Sequence, residues 1–522
     1  MSSFIRGFFT FSALTLVSRL AGFARDALTA VYLGAGPVAD AYAVANRLPN
    51  LFRTLFAEGA FNAAFLPLFK RQQHENGTAD AKRFAEETQA VLAAFLFVFV
   101  GAMMIFMPAV IHVIAPGFGG DAPDDQLRFQ LAVAFGRITF PYLFLISLTS
   151  LQGGVLNAHG SFGPFAAAPI IMNIVQIAGL TLIVPVTGAP GWVLSWGMTV
   201  GGFLQFAWLA VACRRLGLPI GWRRPRLSPQ VKEFLRKLGP GIVGASAAQV
   251  NLAVSTMLGS LLPTGGVAYL YYANQLNQLP LGVVGIALYT ALLPHITQAV
   301  HEGDHVQVRR TTTQAVQMAL VFALPAALGL GLFGYPIMAV LFARGAFTLA
   351  DAQATSLVLA AYAFGIPAFM LVRIFAARFF ATGDTKTPVR AALVAVAANI
   401  AGAVWLLRPL GAPGIALATS LATWANFGLL IWRLKQAQNG EPLLEPVVWH
   451  KLPRLIAATI VMGAVAWGVT QLMDTWLYGG VFIRQATALA AMMGAALVTY
   501  GILLQILGVV RLDELKKTLN RR

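Results

Sequence analysis

Apolar residues along this chain gather into fourteen blocks bounded by turn residues or charges. They cover residues 8–32, 38–66, 88–114, 130–156, 163–186, 190–213, 235–261, 267–297, 313–343, 353–380, 388–408, 412–434, 453–475 and 484–510. Each is near or above the ~20 residues that cross a hydrocarbon core as an α-helix. The short alternating segments of a membrane β-barrel are absent from the pattern. The blocks predict an all-α polytopic membrane protein of about fourteen transmembrane helices. Several exceed span length and contain proline, among them Pro49, Pro141 and Pro280. Kinks are expected there, with the freed carbonyls facing protein or water.

The polar positions between the blocks predict the orientation. With the N-terminus inside, the inside segments and both tails hold 27 of the 37 Lys and Arg residues, with the densest run from Arg214 to Lys237. The outside loops hold only four, Arg128, Arg344, Arg408 and Arg484, and the first long one carries Asp121, Asp124 and Asp125. This asymmetry obeys the positive-inside rule, so both termini are expected in the cytoplasm and the span number is even. Arg6 and the apolar run after it resemble a signal peptide. Arg19, Arg25 and Asp26 interrupt the continuation of that run, and the stretch reads as an uncleaved first span.

Composition agrees with that picture. Of 522 residues 58% are hydrophobic and only 11% charged, against roughly 25% charged in soluble domains. The net charge of +17 would suit a nucleic-acid binder, but most of it is topological, so no nucleic-acid partner is expected. A single cysteine, Cys213, excludes an internal disulfide and any Cys-based metal site.

The chain also repeats itself. AYAVANRL at 41–48 matches AYLYYANQL at 268–276, and AFLPLF at 64–69 matches ALLPHI at 291–296. Phe4-Ile5-Arg6 echoes Phe234-Leu235-Arg236. The shared offset of 227–230 residues corresponds to six spans. It predicts two six-helix lobes of equal orientation, related by an axis along the membrane normal with the site between them. The boundaries read 1–222 for the N-terminal lobe, 228–437 for the C-terminal lobe, 450–510 for two additional helices and 511–522 for a basic cytoplasmic tail.

Candidate chemistry lies inside the first two blocks, which carry Arg19, Arg25, Asp26, Asp40, Arg47, Arg53 and Glu58. Each charge at the bilayer centre costs roughly 2.5–3.5 kcal/mol, so seven of them call for a reason. Arg19 and Asp26 are two helical turns apart and share a face, as do Asp40 and Arg47, before Pro49 is expected to break the register. Arg25–Asp26 and Asp40–Arg47 can be read as buried packing pairs. The surplus of arginine can equally be read as a hydrated site for an anion, since guanidinium grips phosphate oxygens in bidentate fashion. In the second half the position of Arg47 is Gln275, and Arg373 and Arg378 are the main inward candidates there. Gly329-x-Gly331-x-x-Gly334 has dinucleotide-site spacing but sits in an apolar block with no strand before it, and no P-loop occurs. Gly197-x-x-x-Gly201 predicts a close helix contact.

SRLAGFARDALTA at 18–30 and DAYAVANRLPNLFRTLFAEGAFNAAFLPLF at 40–69 resemble the signature of the MurJ (MviN) lipid II flippases, of the multidrug/oligosaccharidyl-lipid/polysaccharide exporter superfamily. YYANQLNQLPLGVVGIALYTALLP at 271–294 and GDTKTPV at 383–389 extend the resemblance over the whole chain. It implies a V of two lobes around a cationic cavity, with the last two helices forming a groove for the lipid tail. It also implies a flippase, not an enzyme, without cofactor, in the bacterial inner membrane. The substrate would be the undecaprenyl-pyrophosphate-linked peptidoglycan precursor, moved from inner to outer leaflet, with cell-wall synthases as candidate partners. By this resemblance Arg19, Arg25, Arg53 and Asp26 fall on the cavity positions, with Asp40 and Glu58 in the same motif. One departure is Gln275, where the family commonly carries an arginine, and Asn274 before it. Two rivals fit part of this pattern. A flippase for another polyprenyl-linked glycan matches the charge, whereas a multidrug–cation antiporter would need unpaired acids in its cavity. A membrane enzyme acting on lipid pyrophosphate would need a nucleophile or base beside the arginines.

Overall fold

The computed structural model describes residues 3–56, 59–282, 286–437, 442–478 and 481–509. Glu58 and the basic tail 511–522 lie outside the described residues. Among the described residues each of the fourteen apolar blocks contains helix, and ten helical stretches are long and apolar enough to cross a membrane. The chain is therefore an all-α, multi-pass membrane protein. Large apolar side chains that a soluble protein would bury stand outward, such as Phe97, Leu182 and Trp405, as contact with lipid requires.

The chain packs as two compact units, Met1–Ala268 with Gly345–Phe347, and Tyr269–Arg344 with Thr348–Arg522. The first holds α1 (Ser3–Leu33), α2 (Pro37–Phe56), α3 (Gly59–Ile105), α4 (Met107–Ile114), α5 (Pro123–Thr139) and α6 (Pro141–Ala158). It continues with α7 (Gly163–Ala178), a π-helical segment Gly179–Ile183, α8 (Val184–Thr187), α9 (Pro190–Arg215) and α10 (Pro229–Ser260). α10 belongs to the second half by its sequence echo and packs with α2 and α3 of the first unit.

α11 (Gly266–Pro280) crosses into the second unit. There α12 (Ile286–His301), α13 (His305–Leu332), α14 (Gly334–Phe342), α15 (Leu349–Ala363) and α16 (Ile366–Ala381) come next. α17 (Lys386–Leu410), α18 (Ala412–Ala437), α19 (Val447–Leu472), α20 (Asp474–Tyr478) and α21 (Phe482–Ile506) complete it. The glycine triplet at 329–334 falls on α13 and the start of α14, with no strand before it.

Proline acts at helix starts more than inside spans. Pro141 opens α6 just after α5 ends at Thr139, α9 and α10 likewise begin with proline, and α4 and α7 carry one at their second position, where the missing N–H costs nothing. Pro280 is the last residue of α11. Pro49 departs from expectation: α2 runs through it to Phe56, so Arg47 and Arg53 ride on one continuous helix. The long α3 bends at Gly77, whose φ of 85° is a conformation that only glycine adopts without strain.

The core of the first unit explains the position of α7. Tyr142 and Ile146 of α6, Met172 of α7 and Met198 of α9 form one cluster, and Leu156, Ala168, Leu209 and Cys213 a second. The predicted contact at Gly197 and Gly201 is present. A Cβ at Gly201 would stand 2.6 Å from Met172 Sδ, so any larger residue would force the Met172 side chain to shift where α9 meets α7. α1 packs on α7, and Asn173, next to Met172, reaches it.

Candidate functional site

α1 meets α7 through one polar constellation. Arg25 donates from Nε and Nη2 to Oδ1 of Asp26, at 3.0 and 2.7 Å, and from Nη1 to Oδ1 of Asn173 at 3.0 Å. Asn173 in turn donates from Nδ2 to the carbonyl of Ser18 at 3.0 Å. The side chain of Asp26 is 8% exposed and that of Arg25 22%. The paired reading of Arg25 and Asp26 is therefore realised, with a neutral third member from a helix about 150 residues away. Tyr42 of α2 is buried within electrostatic reach of both charges.

α2 is held by other neighbours, chiefly α5 and α10. Arg47 donates from Nη1 to the hydroxyl of Thr256 on α10, 2.8 Å away, and that hydroxyl donates to the carbonyl of Leu252 at 2.8 Å. Thr256 is buried. The alternative reading of Asp40 and Arg47 as a buried pair is not realised. Asp40 accepts the backbone N–H groups of Gly265 and Ala268, both at 2.8 Å, and faces Arg128 Nη1 at 3.4 Å. It thus caps the first turn of α11, whose leading N–H groups have no partner within the helix. Arg128 also donates to the carbonyl of Leu262 at 3.2 Å, pairs with Asp125 and lies over the Phe118 ring.

Arg19 lies half-buried on α1 and makes no side-chain hydrogen bond or ion pair among the described residues; Arg53 is half-buried in the last turn of α2. The described contacts join Arg25 to Asp26 and set Asp40 apart on a different network. In the second unit Arg378 is buried and donates to the carbonyl of Leu443 at 3.3 Å, as a helix-end anchor does. Arg373 stands exposed on α16, and Gln275 is half-buried on α11.

Two groups of partners escaped the sequence reading. Asn173 and Thr256 are neutral polar residues among several in their spans, and no spacing ties them to the arginines they hold. Glu86 of α3 is buried and accepts Gly221 N–H at 3.0 Å and Arg223 Nε at 2.5 Å, fastening the basic linker between α9 and α10. Nearby, Glu233 accepts both Nη atoms of Arg71, at 3.2 and 2.5 Å, and lies 3.0 Å from Lys237.

Comparison with known proteins places this geometry in a family. A family profile described as "Lipid II flippase MurJ" matches residues 29–487. A protein of Rhizobium meliloti (strain 1021) called "Probable lipid II flippase MurJ" is 40% identical over 471 residues, covering 88% of this chain and 86% of its own length. A solved structure titled "Lipid II flippase MurJ, inward closed conformation" matches with a TM-score of 0.78 at 24% identity, covering 95% of this chain and 99% of that one. An inward-facing multidrug MATE family transporter of the MOP superfamily matches at 0.67 and 15% identity, covering 82% of this chain and 98% of that one. The two structural likenesses speak for the fold alone.

Proposed function

The chain belongs to the MurJ family of lipid II flippases, and on that premise we propose that it moves the undecaprenyl-pyrophosphate-linked peptidoglycan precursor from the inner to the outer leaflet. It is a transporter in the membrane, not an enzyme. Translocation proceeds by alternating access of the two six-helix lobes, with the pyrophosphate bound by guanidinium groups of α1 and α2. Arg19, Arg25 and Arg53 bind, with Asp26 orienting Arg25. The polyprenyl tail stays in lipid along the last two helices, residues 450–510. Both termini are cytoplasmic, and cell-wall synthases are the partners that would supply or consume the substrate.

The observation that carries this reading is the fate of Asp40. Its carboxylate is fully buried against Arg128 and two backbone N–H groups. It is therefore not spent on Arg47, which donates to the neutral Thr256 hydroxyl. In a low-dielectric setting arginines carried by α1 and α2 favour an anionic ligand. Guanidinium groups suit a diphosphate because their planar forks match two oxygens at once. Stronger interaction with the substrate in one lobe arrangement than in the other would then shift the population between them.

Sealed vesicles carrying Arg25→Ala test the assignment. Translocation of fluorescent lipid II is expected to be lost while the protein stays folded in the membrane. Wild-type rates in that variant would remove Arg25 from the site. Depletion in cells gives the complementary measurement, with lipid II expected to accumulate on the inner leaflet.

A further inference from the structure

We propose that Asn173 is a positioning residue for the anion-binding guanidinium of Arg25, an inference that rests on the reading of Arg25 given above. Three facts carry it. Asn173 is 4% exposed, and both ends of its amide are committed to α1: Oδ1 to Arg25 Nη1 and Nδ2 to the carbonyl of Ser18, each at 3.0 Å. Asp26 holds the opposite side of the same planar group through Nε and Nη2. A guanidinium gripped at Nη1 by one residue and at Nε and Nη2 by another has its plane fixed, which is what bidentate recognition of phosphate oxygens needs.

The third fact is the space through which Asn173 reaches α1. Ser18, Gly22 and Arg25 lie at i, i+4 and i+7, on one helix face. A Cβ added at Gly22 would stand 3.5 Å from Asn173 Nδ2 and 3.9 Å from Oδ1. The bare glycine is the gap in which the amide lies. A methyl group there makes an ordinary contact, whereas the branched side chain of valine would run into the amide.

The neutrality of Asn173 matters as much as its reach. Asp26 already balances the one unit of charge on Arg25, and a second carboxylate would leave this cluster around Arg25 net negative. An amide orients the cation without adding charge. Its rigid seat comes from the neighbouring Met172, packed in the core against α6 and α9.

The test is a binding titration of undecaprenyl pyrophosphate to the purified full-length protein in lipid nanodiscs, with thermal unfolding monitored alongside. The proteins are wild type, Arg25→Ala, Asn173→Ala and the double variant. Asn173→Ala is expected to weaken binding about tenfold, the value of one charge-assisted hydrogen bond. In the double variant it should add nothing to the loss from Arg25→Ala, because Asn173 acts only through that side chain. Wild-type affinity in Asn173→Ala, or single losses that add in the double variant, overturns the proposal. Wild-type affinity in Arg25→Ala instead overturns the reading of Arg25 beneath it. Should Asn173→Ala not fold, Gly22→Ala and Gly22→Val carry the same test without altering either polar residue. The first should bind as wild type and the second should be weakened; equal affinity in both overturns the proposal.

Discussion

The carboxylate of Asp40 and the guanidinium of Arg128 face each other 3.4 Å apart, the first wholly buried and the second 3% exposed. Asp40 also closes on the N–H groups of Gly265 and Ala268, so one side chain ties the start of α2 to the first turn of α11. Breaking a buried pair from one side leaves an uncompensated charge, at a cost of about 3–5 kcal/mol. Arg128→Met is expected to lower the thermal midpoint sharply in detergent. Asp40→Asn/Arg128→Met should recover part of that loss, because the fully buried position 40 no longer carries an unpaired charge, while the partly exposed Asp125 can be hydrated. The folded fraction of either variant should bind undecaprenyl pyrophosphate as wild type does. A specific loss of binding at unchanged stability would return Asp40 to the substrate site.

Thr256 provides a milder perturbation. Thr256→Val keeps the shape and removes the hydroxyl that accepts Arg47 Nη1 at 2.8 Å. A hydrogen bond to a charged group contributes about 1.5–3 kcal/mol, so lipid II translocation in vesicles should slow by roughly tenfold or more. Thr256→Ser restores the acceptor and should restore the rate. A Val variant as fast as wild type would show that the Thr256 hydrogen bond to Arg47 plays no part in transport.

How far this arrangement was legible in the sequence depends on how local each feature is. The helical blocks, the close α7–α9 contact and the Arg25–Asp26 pair come from neighbouring residues or fixed helical spacing, and a single sequence carries that information. Asp40 and Arg47 have the same two-turn spacing as Arg19 and Asp26, yet the partner of Asp40 lies 88 residues away. Spacing says which residues can share a face, not which neighbour arrives there. Asn173 and Thr256 were invisible for a related reason. Ser and Thr hydroxyls satisfy themselves on the preceding turn of many helices, as Thr256 also does on Leu252, so their presence in a span signals nothing by itself. Pro49 misled in the opposite direction, since α2 continues through it to Phe56.

Acid should loosen the first unit through Glu233. Hydrogen bonds from Arg71 and Lys237 hold its carboxyl below the ordinary value of 4.5. A carboxylate whose folded value is depressed contributes stability above the unfolded value and loses it as pH falls through the folded one. The wild-type thermal midpoint should therefore drop below pH 4.5 more steeply than that of Glu233→Gln, and the two curves should converge at lower pH. The effect is small, because the pair is partly solvated and screened by salt. Parallel curves for the two proteins across this range would show that the Arg71–Glu233 bridge contributes nothing.

In the second unit Arg344 fastens the segment after α14 to the start of α21. Its guanidinium carbon sits 3.7 Å from the centroid of the Phe482 ring, and Nη2 donates to Gln485 Oε1 at 3.0 Å and to the carbonyl of Val340 at 2.8 Å. Burial pushes its pKa below the ordinary arginine value. A cation–π contact with a charged hydrogen bond contributes roughly 2 kcal/mol when partly desolvated. Arg344→Ala should then lower the thermal midpoint by a few degrees. Lysine keeps the charge and loses the flat stacking face and the fork, so Arg344→Lys should recover only part of the loss. Phe482→Leu in the Arg344→Ala background should cost less than in wild type, since the two residues contact each other and their effects couple. Additive losses would mean that the ring and the guanidinium stabilise α21 independently, and the contact between them would then have no energetic role.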